Sequence, residues 1–192
     1  MLQIQNEDGI TGYLSAMIIR TKVYLLCMKG SEKKLSEKIN DYELLGFKNE
    51  KINLSKLFGQ QKDLILIHNM GKTCPYCTMW ADGFNGLLPH LEDRAAFVVS
   101  SPDDPAIQNK FAISRGWKFK MVSTKGTSFA KDLGFEKDGL PQPGVSVFFK
   151  DGKKIIRVGR DNFGPGDKYC PTFPLFDLLN DGTNDWQAKF KY

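Results

Sequence analysis

Cys74-Pro75-Tyr76-Cys77 sits between an apolar run and a helical one, and that order leaves few folds open. Asp63-Leu64-Ile65-Leu66-Ile67-His68 has the length and composition of a buried strand. Pro75 suits a first helical position, because its missing N–H would be unbonded there anyway. Cys74 then falls where the first free N–H groups and the positive end of the helix dipole stabilise a thiolate. Cys77 lies one turn further along the same face, close enough to close a disulfide. The dipole is worth roughly 0.3–1 kcal/mol and one pKa unit about 1.36 kcal/mol, so it lowers a thiol from about 8.5 to about 7.5. A lower value needs the Cys77 S–H or Lys72 as an extra donor. Cys74 is therefore the expected nucleophile and Cys77 the resolving thiol.

A strand, a short turn and a Cys-x-x-Cys that opens a helix is the layout of a thioredoxin-like redox site. The same four residues could be half a zinc site, but Cys27 and Cys170 are isolated and supply no second pair. The strand leading in also differs from the turn-rich flank of a zinc knuckle. An inert structural pair is the third reading. No metal and no cofactor is expected.

The chain of 192 residues fits one domain of ordinary size. An apolar fraction of 41% and an aromatic fraction of 12% exclude wholesale disorder. The net charge of +5 is spread among acids, which suits a solvated surface and no nucleic-acid partner. Four cysteines are too few to staple a secreted domain, so a reducing, cytoplasmic compartment is expected. Arg20 and Lys22 interrupt the apolar run from Ile10 to Cys27, which argues against a membrane span, and no signal-peptide order is present.

Read in order, residues 1–27 fit poorly with the rest of the chain and are taken as an extension that is not native to the domain. Residues 28–53 are a helical lead-in: Ser31 caps a helix to Leu45, with Leu35, Ile39 and Tyr42 on one face. Residues 54–182 form the domain and 183–192 a C-terminal tail. Gly83 and Gly86 should break or kink the helix after Cys77. Ala95–Ser100 reads as a strand. A helix over Pro105–Gly116 has Asp104 as N-cap and Ile107, Phe111 and Ile113 partly buried. Phe119–Ser123 is a strand, Ser128–Leu133 a short helix and Val145–Lys150 a long strand. Asp151-Gly152 turns that strand back through Lys154–Val158, and Phe173–Leu179 closes the chain as a helix. The fold expected is α/β and thioredoxin-like, with a mixed central sheet and helices on both faces.

Beyond the cysteines, the stretches CPYCTMWADGFNGLLPHLEDRAAFVVSS, SRGWKFKMVSTKGTSFAKDLGF, PGVSVFFKDG and FGPGDKYCPTFPLFDLL point further. Together they resemble a family of thioredoxin-superfamily proteins of unassigned function, labelled "predicted dithiol-disulfide oxidoreductase". The resemblance runs from about Leu54 to the C-terminus. It implies a thioredoxin fold and a thiol site at Cys74 and Cys77, shaped by Thr73, Pro75, Tyr76 and Trp80, and it brings no substrate.

Comparison with thioredoxins adds two expectations. His68, six residues before the nucleophile, stands where thioredoxins keep a buried carboxylate beneath the second cysteine, which makes it a candidate base for Cys77. The bland reading is a core histidine satisfied at a strand end. The cis-proline that faces the site in thioredoxins falls on Gly144 in an ungapped alignment and on Pro143 with a shift of one. The tetrad resembles that of glutaredoxins, which lack the Phe119–Gly134 insertion. Peroxiredoxins share the larger layout but carry a Thr three before and a Pro seven before the reactive cysteine, where Cys74 has Gly71 and Ile67. Trp80 and Phe84 read as core or rim, and Arg115 and Trp117 as a helix end with its anchor. Cys27 is taken as unreactive and Cys170 as either buried and inert or a third redox thiol. The function expected is a thiol–disulfide oxidoreductase acting on protein or small-molecule thiols and disulfides. The rival is a non-catalytic module that binds a partner or metal through the same face.

Overall fold

A computed structural model describes residues 35–192. An eight-stranded mixed sheet runs in the order β1-β10-β9-β4-β5-β6-β2-β3. Its centre is β4 (Asp63–His68), flanked by parallel β5 (Ala96–Ser101) and antiparallel β9 (Gly144–Asp151). β6 (Lys120–Ser123) continues the parallel side, and β10 (Lys154–Asn162) returns from β9 through the Asp151-Gly152 turn. Gly152 has φ +58°, which suits a residue without a Cβ.

Alternation along β4 sorts the core into two layers. Ile65 and Ile67 face one layer with α2 (Pro75–Arg94), α3 (Pro105–Arg115) and α5 (Thr172–Phe176). Leu64 and Leu66 face the other, with α1 (Leu54–Leu57) and α4 (Phe129–Asp132). Helices therefore cover both faces, as expected of the fold. Among the described residues no helix is long and apolar enough to cross a membrane.

Four sequence expectations need correction. Over the described part of residues 31–45 the chain is extended: β1 (Glu37–Ile39) pairs with β10, and β2 (Glu43–Leu45) pairs with β6 and β3 (Lys51–Asn53). Edge pairing and burial of Ile39 and Leu44 override a helical spacing whose first member, Leu35, is exposed. Ser31, residues 1–27 and Cys27 lie outside the described residues. Second, α2 runs unbroken through Gly83 and Gly86. Each glycine costs roughly 0.5–1 kcal/mol in a helix, less than the burial of Cys77, Trp80, Ala81, Phe84 and Leu88 on one face returns. Third, Ile107 and Ile113 on α3 are exposed, while Gln108 and Ala112 are buried. Finally, the closing helix is one short turn that ends at Phe176. A two-stranded hairpin, β7 (Glu136–Lys137) with β8 (Leu140–Pro141), stands apart from the main sheet and had no reading from sequence.

Candidate active site

The turn from β4 into α2 is held by one buried amide. Asn69 Oδ1 accepts from the Gly71 N–H at 2.8 Å, and its Nδ2 donates to the Cys77 carbonyl at 3.3 Å. Gly71 has φ +102°, and a Cβ there would sit 3.0 Å from the Asp103 carboxylate, so glycine is required. Asp103 is itself fixed by the Lys72 N–H at 2.9 Å and the Ser101 hydroxyl at 3.1 Å. Lys72 thus serves the site through its backbone.

Cys74 is the N-cap of α2, with Pro75 in the first turn. Its Sγ accepts from the Cys77 N–H at 3.0 Å, so the sulfur does the work of a capping oxygen. The Cys77 side chain's hydrogen bond is the largest influence on the Cys74 thiol. Burial opposes it, the backbone N–H groups of Cys77 and Tyr76 reinforce it, and the pKa falls to about 7. Cys77 moves the other way: its hydrogen bond to Cys74 and then burial push its thiol up, and the Met70 backbone N–H pulls against them. Exposure follows the same split, 9% for Cys74 against 2% for Cys77. Both are free thiols. The pair is chemically unequal, with the nucleophile outward and its partner behind it.

His68 is not beneath Cys77. It follows Leu64 and Leu66 onto the opposite face of the sheet, because side chains alternate along β4. There its Nε2 shares a 2.9 Å hydrogen bond with Ser146 Oγ, and its ring stacks on Phe135 with centroids 3.8 Å apart. Burial, then the positive charges of Arg157 and Arg160, hold its pKa well below the ordinary range. It is a neutral core imidazole and no base for the dithiol.

Other singled-out residues divide between site and scaffold. Thr73 is exposed and Pro75 half-buried beside the nucleophile. Tyr76 donates to Gln187 Oε1 at 2.6 Å and stacks on Phe173, which brings the C-terminal residues onto the site helix. Trp80 is buried against Phe163, with its N–H directed to Asp167. Gly144 opens β9 opposite His68, and the Pro143 carbonyl accepts from the Phe163 N–H at 3.0 Å. No cis peptide occurs among the described residues, so Pro143 is trans. Cys170 is buried in the same apolar layer as the dithiol, its Sγ donating to Thr172 Oγ1 at 3.4 Å. Arg115 and Trp117 both donate to Asp82 of α2, pinning α3 to the site helix. Asn69 and the Met70 backbone were not found from sequence: an asparagine bridging to a carbonyl eight residues on leaves no pattern, and a backbone donor has no residue type. Among the described residues no group of three or more His, Cys, Asp or Glu is placed to hold a metal ion.

Residues 37–191 match the model of a family described as "Bacterial protein of unknown function (DUF899)". A comparison with curated proteins gave no match. Among solved structures the chain is similar to peroxidoxin BcpB from Mycobacterium tuberculosis, at 24% identity and TM-score 0.56, over 66% of this chain and 87% of that one. It is similar to a cysteine-to-serine mutant of Xylella fastidiosa PrxQ, at 21% identity and TM-score 0.57, over 71% and 91%. A Xanthomonas campestris peroxiredoxin Q mutant matches at 18% identity and TM-score 0.57, over 68% and 88%. Likeness at this level establishes the thioredoxin fold, in the larger form that peroxiredoxins share.

Proposed function

The chain belongs to the bacterial family described as DUF899, and we propose that it works there as a thiol–disulfide oxidoreductase cycling through a Cys74–Cys77 disulfide. The observation that carries this reading is the unequal pair: an N-cap sulfur ionising at about 7, supported by a buried thiol one turn behind it. The Cys74 thiolate attacks one sulfur of a substrate disulfide, forming a mixed disulfide and releasing the other half as thiolate. Cys77 then attacks the Cys74 sulfur, closes the intramolecular disulfide and expels the second half. Once Cys74 is no longer an anion, the strongest influence holding the proton on Cys77 is gone, and the Met70 N–H favours its thiolate. Substrates are protein or small-molecule disulfides, and the few cysteines of the chain suit a cytoplasmic setting.

Equilibration with glutathione buffers, read by mass spectrometry after alkylation, tests it. The expected result is a reversible loss of two alkylatable thiols in wild type, absent in Cys77→Ser. Absence of an intramolecular disulfide at every glutathione ratio, with both thiols reactive, would refute the reading and leave a binding module.

The shared fold favours one second reading, a thiol peroxidase. There the Cys74 thiolate cleaves a peroxide O–O bond, leaving a sulfenic acid and an alcohol or water, and Cys77 condenses with it to release water. The Gly71 and Ile67 positions weigh against it. Stopped-flow oxidation by hydrogen peroxide, compared with oxidation by glutathione disulfide, separates the two by which oxidant is faster.

A further inference from the structure

Across the sheet from the cysteines lies a cavity of about 250 Å³ at the carboxyl ends of β4, β5 and β6. That end of a parallel sheet is where α/β proteins hold ligands, because the loops diverge there. The volume is several times the roughly 30 Å³ share of a single water. His68 is part of its lining, together with Phe135, Lys125 and Glu136. The imidazole is 4% exposed, and its Nε2 is taken by Ser146. Nδ1 has no hydrogen-bond partner among the described residues. A buried ring nitrogen left unpaired is costly, and here it borders the space where a partner fits.

We propose that this cavity is a binding site for a small monocarboxylate, one oxygen of which pairs with His68 Nδ1. When the Ser146 hydroxyl donates to Nε2, the ring proton sits on Nδ1 and points a donor at the ligand. The field has the matching sign: Arg157 and Arg160 both act on His68 as positive charges. Arg160 lies over the Phe135 ring, 5.1 Å from its centroid. Lys125 adds a cation to the lining, although Asp104 shares it at 3.1 Å. Glu136 limits the ligand to one anionic group, since a dianion would meet its carboxylate. Phe135, Ala130 and Pro141 accept the apolar remainder. Asn69 lines the cavity and also holds the Cys77 carbonyl, so the ligand would sit one side chain from the dithiol. The site stands or falls independently of the redox reading.

The test follows the His68 ring nitrogens of the ¹⁵N-labelled full chain while sodium benzoate or acetate is added to about 10 mM, against benzyl alcohol and phosphate. The expected result is a saturable Nδ1 shift with a carboxylate and none with the alcohol or with phosphate. Lys125→Gln should weaken binding roughly tenfold, as for one charge-assisted hydrogen bond. Ala130→Trp, or Ala130→Leu if the larger residue does not fold, should abolish it. Absence of a saturable shift with either carboxylate overturns the site. A shift that survives filling of the cavity overturns it as well, and equal binding of benzyl alcohol or phosphate overturns the carboxylate assignment.

Discussion

Three donors converge on the Cys74 sulfur: the Cys77 thiol and the N–H groups of Tyr76 and Cys77. The thiolate is the reactive form, so alkylation of Cys74 should rise with pH along a titration centred at about 7. Cys77→Ala removes the largest of the three, and its midpoint should move up toward the ordinary ~8.5, slowing alkylation at neutral pH roughly three- to tenfold. Cys77→Ser keeps a donor and should stay close to wild type. An unmoved midpoint in the alanine variant would refute the assignment. His68 predicts the opposite kind of pH effect. Its folded-state pKa is depressed, so its contribution is complete above the unfolded value of ~6.5 and is lost as pH falls below it. Below that pH the unfolded chain binds a proton that the folded chain refuses, costing up to about 1.36 kcal/mol per pH unit. Urea midpoints at neutral and mildly acidic pH should therefore diverge more in wild type than in His68→Phe. The variant should resolve a Cys74 mixed disulfide at the wild-type rate, because the imidazole lies across the sheet from Cys77.

Two glycines show how differently one residue type serves α2 and β9. Gly83 is exposed mid-helix, and an added Cβ meets nothing within 4 Å. Gly83→Ala should raise stability by about 0.5–1 kcal/mol, read as a higher urea midpoint with the same slope. Gly144 is buried opposite His68, where a Cβ would meet the Asp161 carbonyl and Phe135 at 2.4 Å. Backbone cannot retreat as a flexible side chain can, so Gly144→Ala should cost about 1–3 kcal/mol or more in the same assay. A neutral Gly144→Ala would show that β9 has slack against β10. From the sequence both glycines read as punctuation. α2 was expected to bend at Gly83 because its exposed face cannot be told from its buried one until Trp80 and Phe84 have neighbours.

At the scale of the molecule, the strands before Leu54 clasp both edges of the sheet. β1 lies against β10, and β2 with β3 against β6. The first clasp includes an ion pair in which buried Arg157 meets Glu37 Oε2 at 2.6 Å and also donates to the Leu133 carbonyl at 2.7 Å. A chain beginning at residue 54 leaves that guanidinium without its carboxylate and uncovers both edges. It should be insoluble or molten, whereas one beginning at residue 35 should unfold cooperatively. Near-UV circular dichroism and analytical ultracentrifugation distinguish the outcomes. A cooperative, monomeric fold from residue 54 would make the clasps dispensable.

What the sequence determined by itself was local. An apolar hexamer fixed β4, Pro75 fixed the start of α2, and the spacing of Cys74 and Cys77 put two thiols on one helical face. Those follow from steric and hydrogen-bonding rules that reach only a few residues. Tertiary structure decided whatever depended on a partner distant in the chain. It made strands of residues 37–39 and 43–45 by offering them sheet edges, and it carried α2 through two glycines by burying one side. It also set His68 on the far face, where Phe135 and Ser146 receive it. Counting six residues back from a cysteine gives a position along the chain but no direction, and in a strand the direction is settled by what packs on either side.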